Sequence, residues 1–143
     1  MFSFRRPLIA ALPVLAAAAT VLPVSTEANA YSGTTCDALY NCLRLFYNSN
    51  RQGSYTYFVR DNVPDFAPYK FLTGGAGQGQ GIKNNAASAD NDTSVDATIY
   101  YNSNYVGACD TLSDFAIADQ LHYTYNENAS FRWGYTRPDC YRF

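Results

Sequence analysis

An all-β sandwich built from two copies of one Greek-key unit is the fold that this sequence predicts, and three observations predict it. Short alternating runs rich in aromatic residues are separated by turn residues. Two short words recur in the same order along the chain. A stretch with helical periodicity is hard to find.

The alternating runs come first. After residue 30 the chain holds 21 aromatic residues, 13 of them Tyr, against 13 of Leu, Ile and Val combined. Such residues suit pleated, half-buried surfaces. In "SYTYFVR" (54–60), Tyr55, Tyr57 and Val59 share one face of a strand. In "LHYTY" (121–125), Leu121, Tyr123 and Tyr125 do, and in "ASFRW" (129–133), Ala129, Phe131 and Trp133 do. Residues 43–47 and 97–101 also read as strands. Residues 110–120 are the best helical candidate and are expected to form one short turn of helix.

The first repeated word is "FYNSNRQG" at 46–53 and "YYNSNYVG" at 100–107, 54 residues apart. The second is "NNAAS" at 84–88 and "NENAS" at 126–130. The order is therefore word one, word two, word one, word two, which divides the chain into halves at about 36–92 and 93–143, each of about four strands. In the second copy Tyr100 and Tyr105 are placed to fold over a hairpin, and Gly107 supplies the positive φ that the bend requires. In the first copy Arg51 stands at the second aromatic position. The Gly-rich run "TGGAGQGQG" (73–81) accounts for the greater length of the first half.

The ends set the compartment. Arg5 and Arg6 precede an apolar run at 7–24, which leads to Ala28-Asn29-Ala30. That is the pattern of a secretory signal peptide, residues 1–30, cut after Ala30. No second apolar stretch of spanning length follows, so the mature chain, 31–143, is expected to be secreted, extracellular, monomeric and free of the membrane. Without Arg5, Arg6 and Glu27 it carries 8 basic and 11 acidic residues and no block of like charge. Nucleic acid is thereby excluded as a partner. Cys36, Cys42, Cys109 and Cys140 read as two disulfides in an exported chain. Three connectivities are open. Cys36–Cys42 with Cys109–Cys140 is favoured, since the first closes a tight loop and the second ties down a C-terminal tail. A zinc site is disfavoured: no C-x-x-C pair occurs, and His122 is the only histidine.

These words carry a resemblance. The Y-x-x-x-x-Y-x-G corner followed by an Asn-rich Ser turn resembles the βγ-crystallin Greek-key motif. More closely, "CLRLFYNSNRQGSY", "NVPDFAPYKF", "GQGIKNNAASADN", "YYNSNYVGA" and "NENASFRW" resemble the secreted actinobacterial peptidase inhibitor family typified by the streptomycete metalloproteinase inhibitor. The resemblance runs from about Cys36 to Trp133. It implies a βγ-crystallin-like double Greek key, two disulfides and an extracellular peptidase as partner, a thermolysin-like zinc protease for the type member. It also implies a reactive bond in a disulfide-clamped loop, but no local sequence matches that loop, so no reactive residue is assigned. For βγ-crystallins the Asn/Ser turn implies weak calcium sites, which carry over to Asn85 and Ser88 in the first half and Glu127 and Ser130 in the second. Both turns depart from the pattern, with Ala89 and Phe131 in place of the final Ser. The competing role for these residues is to cap the turn through local backbone bonds.

Catalysis finds no support in these residues. His122 is expected on the polar side of its strand beside Thr124 without a partner, and Asp110, Asp114 and Asp119 cannot be paired from sequence. The Gly-rich run lacks the strand before and helix after that a phosphate cradle needs. The remaining reading is a stoichiometric inhibitor with a rigid loop near Cys109 or Cys140, at 106–110 or 134–143. The alternative is an extracellular structural or binding module of the βγ-crystallin type.

Overall fold

The two octapeptides form the same corner twice. The structure is a computed structural model, and it describes residues 31–36, 42–59 and 61–143. The expected leader at 1–30 lies outside the described residues. Nine strands are assigned among them: β1 (Tyr31–Gly33), β2 (Cys42–Asn48), β3 (Gln52–Val59), β4 (Ser88–Asn91), β5 (Ala97–Asn102), β6 (Val106–Leu112), β7 (Ile117–Ala118), β8 (Ser130–Trp133) and β9 (Tyr141–Arg142). The first corner joins β2 to β3 and the second joins β5 to β6. Each hairpin has a bulge at the same place, between Phe46 and Asn48 and between Tyr100 and Asn102. Positive φ recurs at matched positions: Asn50, Arg51 and Gly53 in one, Asn104, Tyr105 and Gly107 in the other. A Cβ on Gly107 would lie 2.7 Å from the Asn102 amide nitrogen, so glycine is required twice over, by φ and by space.

Non-glycine residues in the left-handed region are costly and need local support. The second word provides it. The Ser88 hydroxyl donates to the Asn48 carbonyl (2.6 Å) and accepts from the Arg51 N–H (3.0 Å). The Ser130 hydroxyl does the same for Asn102 (2.7 Å) and Tyr105 (3.1 Å). Both words thus serve one construction, and their order in the sequence follows from it. Tyr100 and Tyr105 pack edge to face at 6.0 Å, as expected. Arg51 keeps the backbone of the corner but turns its side chain to Asp119 (3.3 Å).

The strands form two sheets, β1-β3-β2-β4-β7 and β8-β5-β6-β9. The third segment of each half is exchanged. β7, from the second half, pairs with β4 through Ala89 and Ala118. Val63, from the first half, bridges Phe131 of β8 with both N–H···O bonds at 2.9 Å. The turns exchange bonds too: Asn84 N–H reaches the Asn128 carbonyl (2.8 Å) and Asn126 N–H the Ala86 carbonyl (3.0 Å). One core lies between the sheets. Phe58, Phe66 and Phe131 are fully buried at its centre with centroids 5.2–6.0 Å apart, and Leu43, Leu45, Ala97, Ile99 and Leu112 surround them.

The added length of the first half folds as a small hairpin. Lys70 bridges Gly81, and Phe71 and Ile82 enter the core. Its Gly-rich tip lies on Tyr47, where a Cβ on Gly77 would sit 2.1 Å from the ring. The disulfides are Cys36–Cys42 and Cys109–Cys140, the favoured pairing.

Two expectations are corrected. Residues 110–120 form no helix. They complete β6, turn at Phe115 with φ of 53° and enter β7, because the exchanged segment must extend along β4. Residues 121–125 are not a strand. The N–H groups of His122, Tyr123 and Thr124 all converge on the buried Asp110 carboxylate at 2.9–3.0 Å, which curls the chain. Leu121 and Thr124 are therefore buried while Tyr123 and Tyr125 are exposed. His122 stays at the surface as expected, but on this loop, stacked on Tyr141 at 4.2 Å. Tyr55, Tyr57 and Val59 share a face as expected; it is the outer one, against the Cys36–Cys42 bridge, and Phe58 enters the core.

Two predictions follow from the corners. Replacing Ser88 or Ser130 by Ala removes the side-chain partner of one part-buried backbone donor and one acceptor. Each change is expected to cost roughly 1–3 kcal/mol, similar for the two sites, in urea denaturation. Tyr100 is fully buried and its hydroxyl has no hydrogen-bond partner among the described residues. Burial pushes the phenols of Tyr57, Tyr100 and Tyr105 above their ordinary value of 10, with Arg44 or Arg132 only partly opposing it. The folded state then holds more protons than the unfolded state once pH passes 10, so stability is level below that pH and falls above it. Tyr100→Phe is expected to raise the neutral-pH midpoint and make the alkaline fall shallower in melting curves across pH.

Candidate functional site

The pseudo-symmetry of the halves shows where they differ. On the outer face of the first sheet, Arg44 sits within 4.9–5.6 Å of the rings of Phe46, Tyr55 and Tyr57 and grips the buried Asp90 carboxylate (2.9 and 3.1 Å from Nε). This cluster seals the face with its own side chains. The 54-residue spacing of the corners places Thr98, Tyr100 and Cys109 at the positions of Arg44, Phe46 and Tyr55. Here the face is covered instead by the chain's C-terminal segment.

That segment, 134–139, joins β8 to β9 and is mostly exposed. Gly134, with φ of 62°, turns the chain off β8, and its N–H donates to the Asp96 carbonyl (2.7 Å). The Tyr135 carbonyl accepts from the Thr98 hydroxyl, and the Arg132 guanidinium lies 4.4 Å over the Tyr135 ring. Residues 135–137 run without a turn, and Pro138 and Asp139 then reverse the chain. Arg137 donates to the Gly107 carbonyl (3.2 Å) and, through Nε, to Asp139 (2.9 Å); Cys140 N–H closes the turn on the Arg137 carbonyl (3.2 Å). The Arg137 guanidinium holds the Asp139 carboxyl below its ordinary value.

The Cys109–Cys140 bridge fixes the far end, and the parallel pairing of β9 with β6 follows it. A cross-link closing a loop of this size is worth roughly 3–4 kcal/mol in the chain-entropy picture. Beside the segment lies a cavity of about 330 Å³ lined by Thr111, Thr136, Arg137, Pro138, Cys140 and Arg142. The arrangement is an exposed stretch, free of a turn over 135–137, held at both ends by a β-scaffold. The neighbouring candidate, 106–110, is corrected: it lies in β6, paired with β5, and its Cys109 and Asp110 are fully buried. Cys109, Asp139 and Cys140 also cluster, but both sulfurs are consumed in the disulfide and offer no thiolate.

The residues expected to hold calcium are placed as follows. Asn85 lines a polar cavity of about 250 Å³ with Asn48, Ser49 and Asn126, and its amide nitrogen donates to the Gly81 (3.0 Å) and Lys83 (3.1 Å) carbonyls. Glu127 is exposed on its turn. Ser88 and Ser130 are fully buried, and each hydroxyl already spends its proton and one lone pair on its corner. A cation drawing on either oxygen competes with the corner itself. From the first half the Lys83 ammonium reaches Asp65 (2.9 Å) and, in the second half, Ser103 (2.9 Å), so a built-in cation sits across the junction of the halves. The Lys83 ammonium, with the Ala67 N–H, outweighs burial and holds Asp65 below its ordinary value.

Sequence reasoning named the neighbourhood of the segment but not Arg132, Thr98 or Arg137. The signal was present: comparing the two halves shows aromatic, self-sealing residues in one and Thr, Tyr and Cys in the other.

Comparison with known proteins agrees with the fold and names a family. The chain resembles a solved structure described as "Evolution of the eye lens beta-gamma-crystallin domain fold", with a TM-score of 0.57 and 16% identity over 75% of this chain and 98% of that one. It also resembles the N-terminal domain of protein S, with a TM-score of 0.49 and 21% identity over 64% of this chain and 93% of that one. The first likeness identifies the fold as βγ-crystallin-like. No curated protein matches the chain significantly in sequence. Residues 29–112, more than half of the chain, match the family described as Peptidase inhibitor family I36. The chain belongs to that family, and is accordingly a peptidase inhibitor rather than an enzyme.

Proposed function

We propose that the protein is a secreted, monomeric inhibitor of extracellular zinc metallopeptidases and that it lays residues 134–139 in the target's cleft as a substrate-like strand. The observation that carries this reading is the double anchoring of an exposed stretch that runs without a turn, by β8 on one side and the Cys109–Cys140 bridge on the other. An extended peptide adds to the edge strand of a peptidase cleft through main-chain bonds. The free peptide loses much conformational entropy on docking; a segment already held in place loses less and binds more tightly. The same anchoring opposes turnover, because a scissile bond must deform toward the transition state to be cut. The zinc class rests on the resemblance to the streptomycete metalloproteinase inhibitor, and export rests on the leader and the two disulfides.

Titrating the secreted protein into a thermolysin assay is expected to remove activity stoichiometrically. Undiminished activity at a large molar excess, with loss of activity in a serine- or cysteine-peptidase assay, would reassign the target class. The Cys109→Ser/Cys140→Ser variant frees one end of the segment. It is expected to weaken inhibition by at least tenfold, equivalent to about 1.4 kcal/mol of lost preorganisation, and to be cleaved within 134–139, as read by intact-mass spectrometry.

A further inference from the structure

Resting on that reading of the segment, we propose that Arg137 is a latch: it holds the C-terminal side of the inhibitory stretch on the scaffold, so that a peptide bond cut within Tyr135-Thr136-Arg137 keeps both of its ends in place.

The candidate bonds narrow on backbone grounds. Gly134 has φ of 62° and cannot belong to an extended, substrate-like run. The bond after Arg137 precedes Pro138, whose nitrogen carries no hydrogen and cannot make the main-chain bond that strand addition needs. Residues 135–137 remain, with Thr136 exposed at their centre.

Each side of Thr136 is held independently. Upstream, the Tyr135 carbonyl is bonded to Thr98, the Gly134 N–H to Asp96, and β8 is laddered to β5. Downstream, Arg137 uses three contacts. Nη1 donates to the Gly107 carbonyl at 3.2 Å, and the Nε and Nη2 fork takes both oxygens of Asp139. Gly107 belongs to the second corner, so the latch closes onto the part of the scaffold built by Ser130, Asn102 and Tyr105. The disulfide alone would restrain Cys140, three or four residues downstream of the new end; Arg137 restrains that end itself or the residue next to it.

Hydrolysis of Tyr135–Thr136 or Thr136–Arg137 adds one water, breaks the C–N bond and leaves a carboxylate upstream and an amine downstream. With both ends anchored, the carboxylate and amine stay adjacent. The reverse condensation, which expels the same water, then competes with release. The Arg137 side chain is therefore turned inward, as a positioning residue, while Tyr135 and Thr136 are what the target meets.

The test compares wild type, Arg137→Ala, Arg137→Lys and Asp139→Asn. It reads inhibition of thermolysin over time, melting temperature, and the site and rate of nicking by intact-mass spectrometry. Arg137→Ala is expected to bind with a nearly unchanged association rate and then lose inhibition as it is nicked within 135–137, at least tenfold faster than wild type. Arg137→Lys, which keeps the charge without the fork, should nick at an intermediate rate, and Asp139→Asn should nick faster than wild type with an unchanged melting temperature. Equal nicking rates in wild type, Arg137→Ala and Asp139→Asn would overturn the latch while leaving the inhibitory reading standing. Nicking outside 134–139 in an inhibitory wild type would do the same. A wild type that inhibits no peptidase of any class would overturn both. Should Arg137→Ala fail to fold, the Asp139→Asn and Arg137→Lys rates decide the question alone.

Discussion

Neither half of this chain can close its own sheet. The third segment of the first half, at Val63, bonds to β8 of the second, and β7 of the second bonds to β4 of the first. A half on its own would leave the edges of β4 and β8 without those backbone partners and its hydrophobic face in water. The exchange therefore ties two modest units into one core, with Phe58, Phe66 and Phe131 at the place where they meet. The corner serines lie at the first residues of β4 and β8, the very strands that receive the exchanged segments. Corner, turn and exchange are consequently one construction.

That constraint explains why the outer faces were free to diverge. The inner faces of both sheets are committed to the shared core and the corners to backbone geometry. The outer positions are bound by neither. In the first half they hold Arg44 beneath three aromatic rings with Asp90 buried against it. In the second they hold Thr98, Tyr100 and Cys109, each of which underlies or fastens the C-terminal segment. The unbonded Tyr100 hydroxyl is a local cost of that covering. The scaffold has no helix among its described residues, and two disulfides cross-link it.

Much of this was legible in the sequence because the duplication is written in residues whose job is local. Gly53 and Gly107 close the two corners at positive φ, and the short runs at 43–47, 97–101 and 129–133 do fall in strands. The errors fell where a distant group overrode the local pattern. Residues 121–125 alternate like a strand, but the buried carboxylate of Asp110 gathers three of their N–H groups. Residues 110–120 have some helical spacing, but β4 needs a partner and takes residues 117–118. Tyr55, Tyr57 and Val59 share one face as read, but which face met the other sheet was left to Phe58 and the fold.

The sequence by itself determined the all-β class, the two-fold repetition and the corner residues, and favoured one cysteine pairing of three, since each depends on period, φ preference or spacing along the chain. Only the tertiary structure decided which half seals its own outer face, where the buried Asp110 carboxylate acts and which exposed stretch is held at both ends. Those outcomes depend on groups far apart in the chain, such as Arg137 with Gly107, Thr98 with Tyr135 and Asp110 with Thr124, and no local pattern encodes such distances.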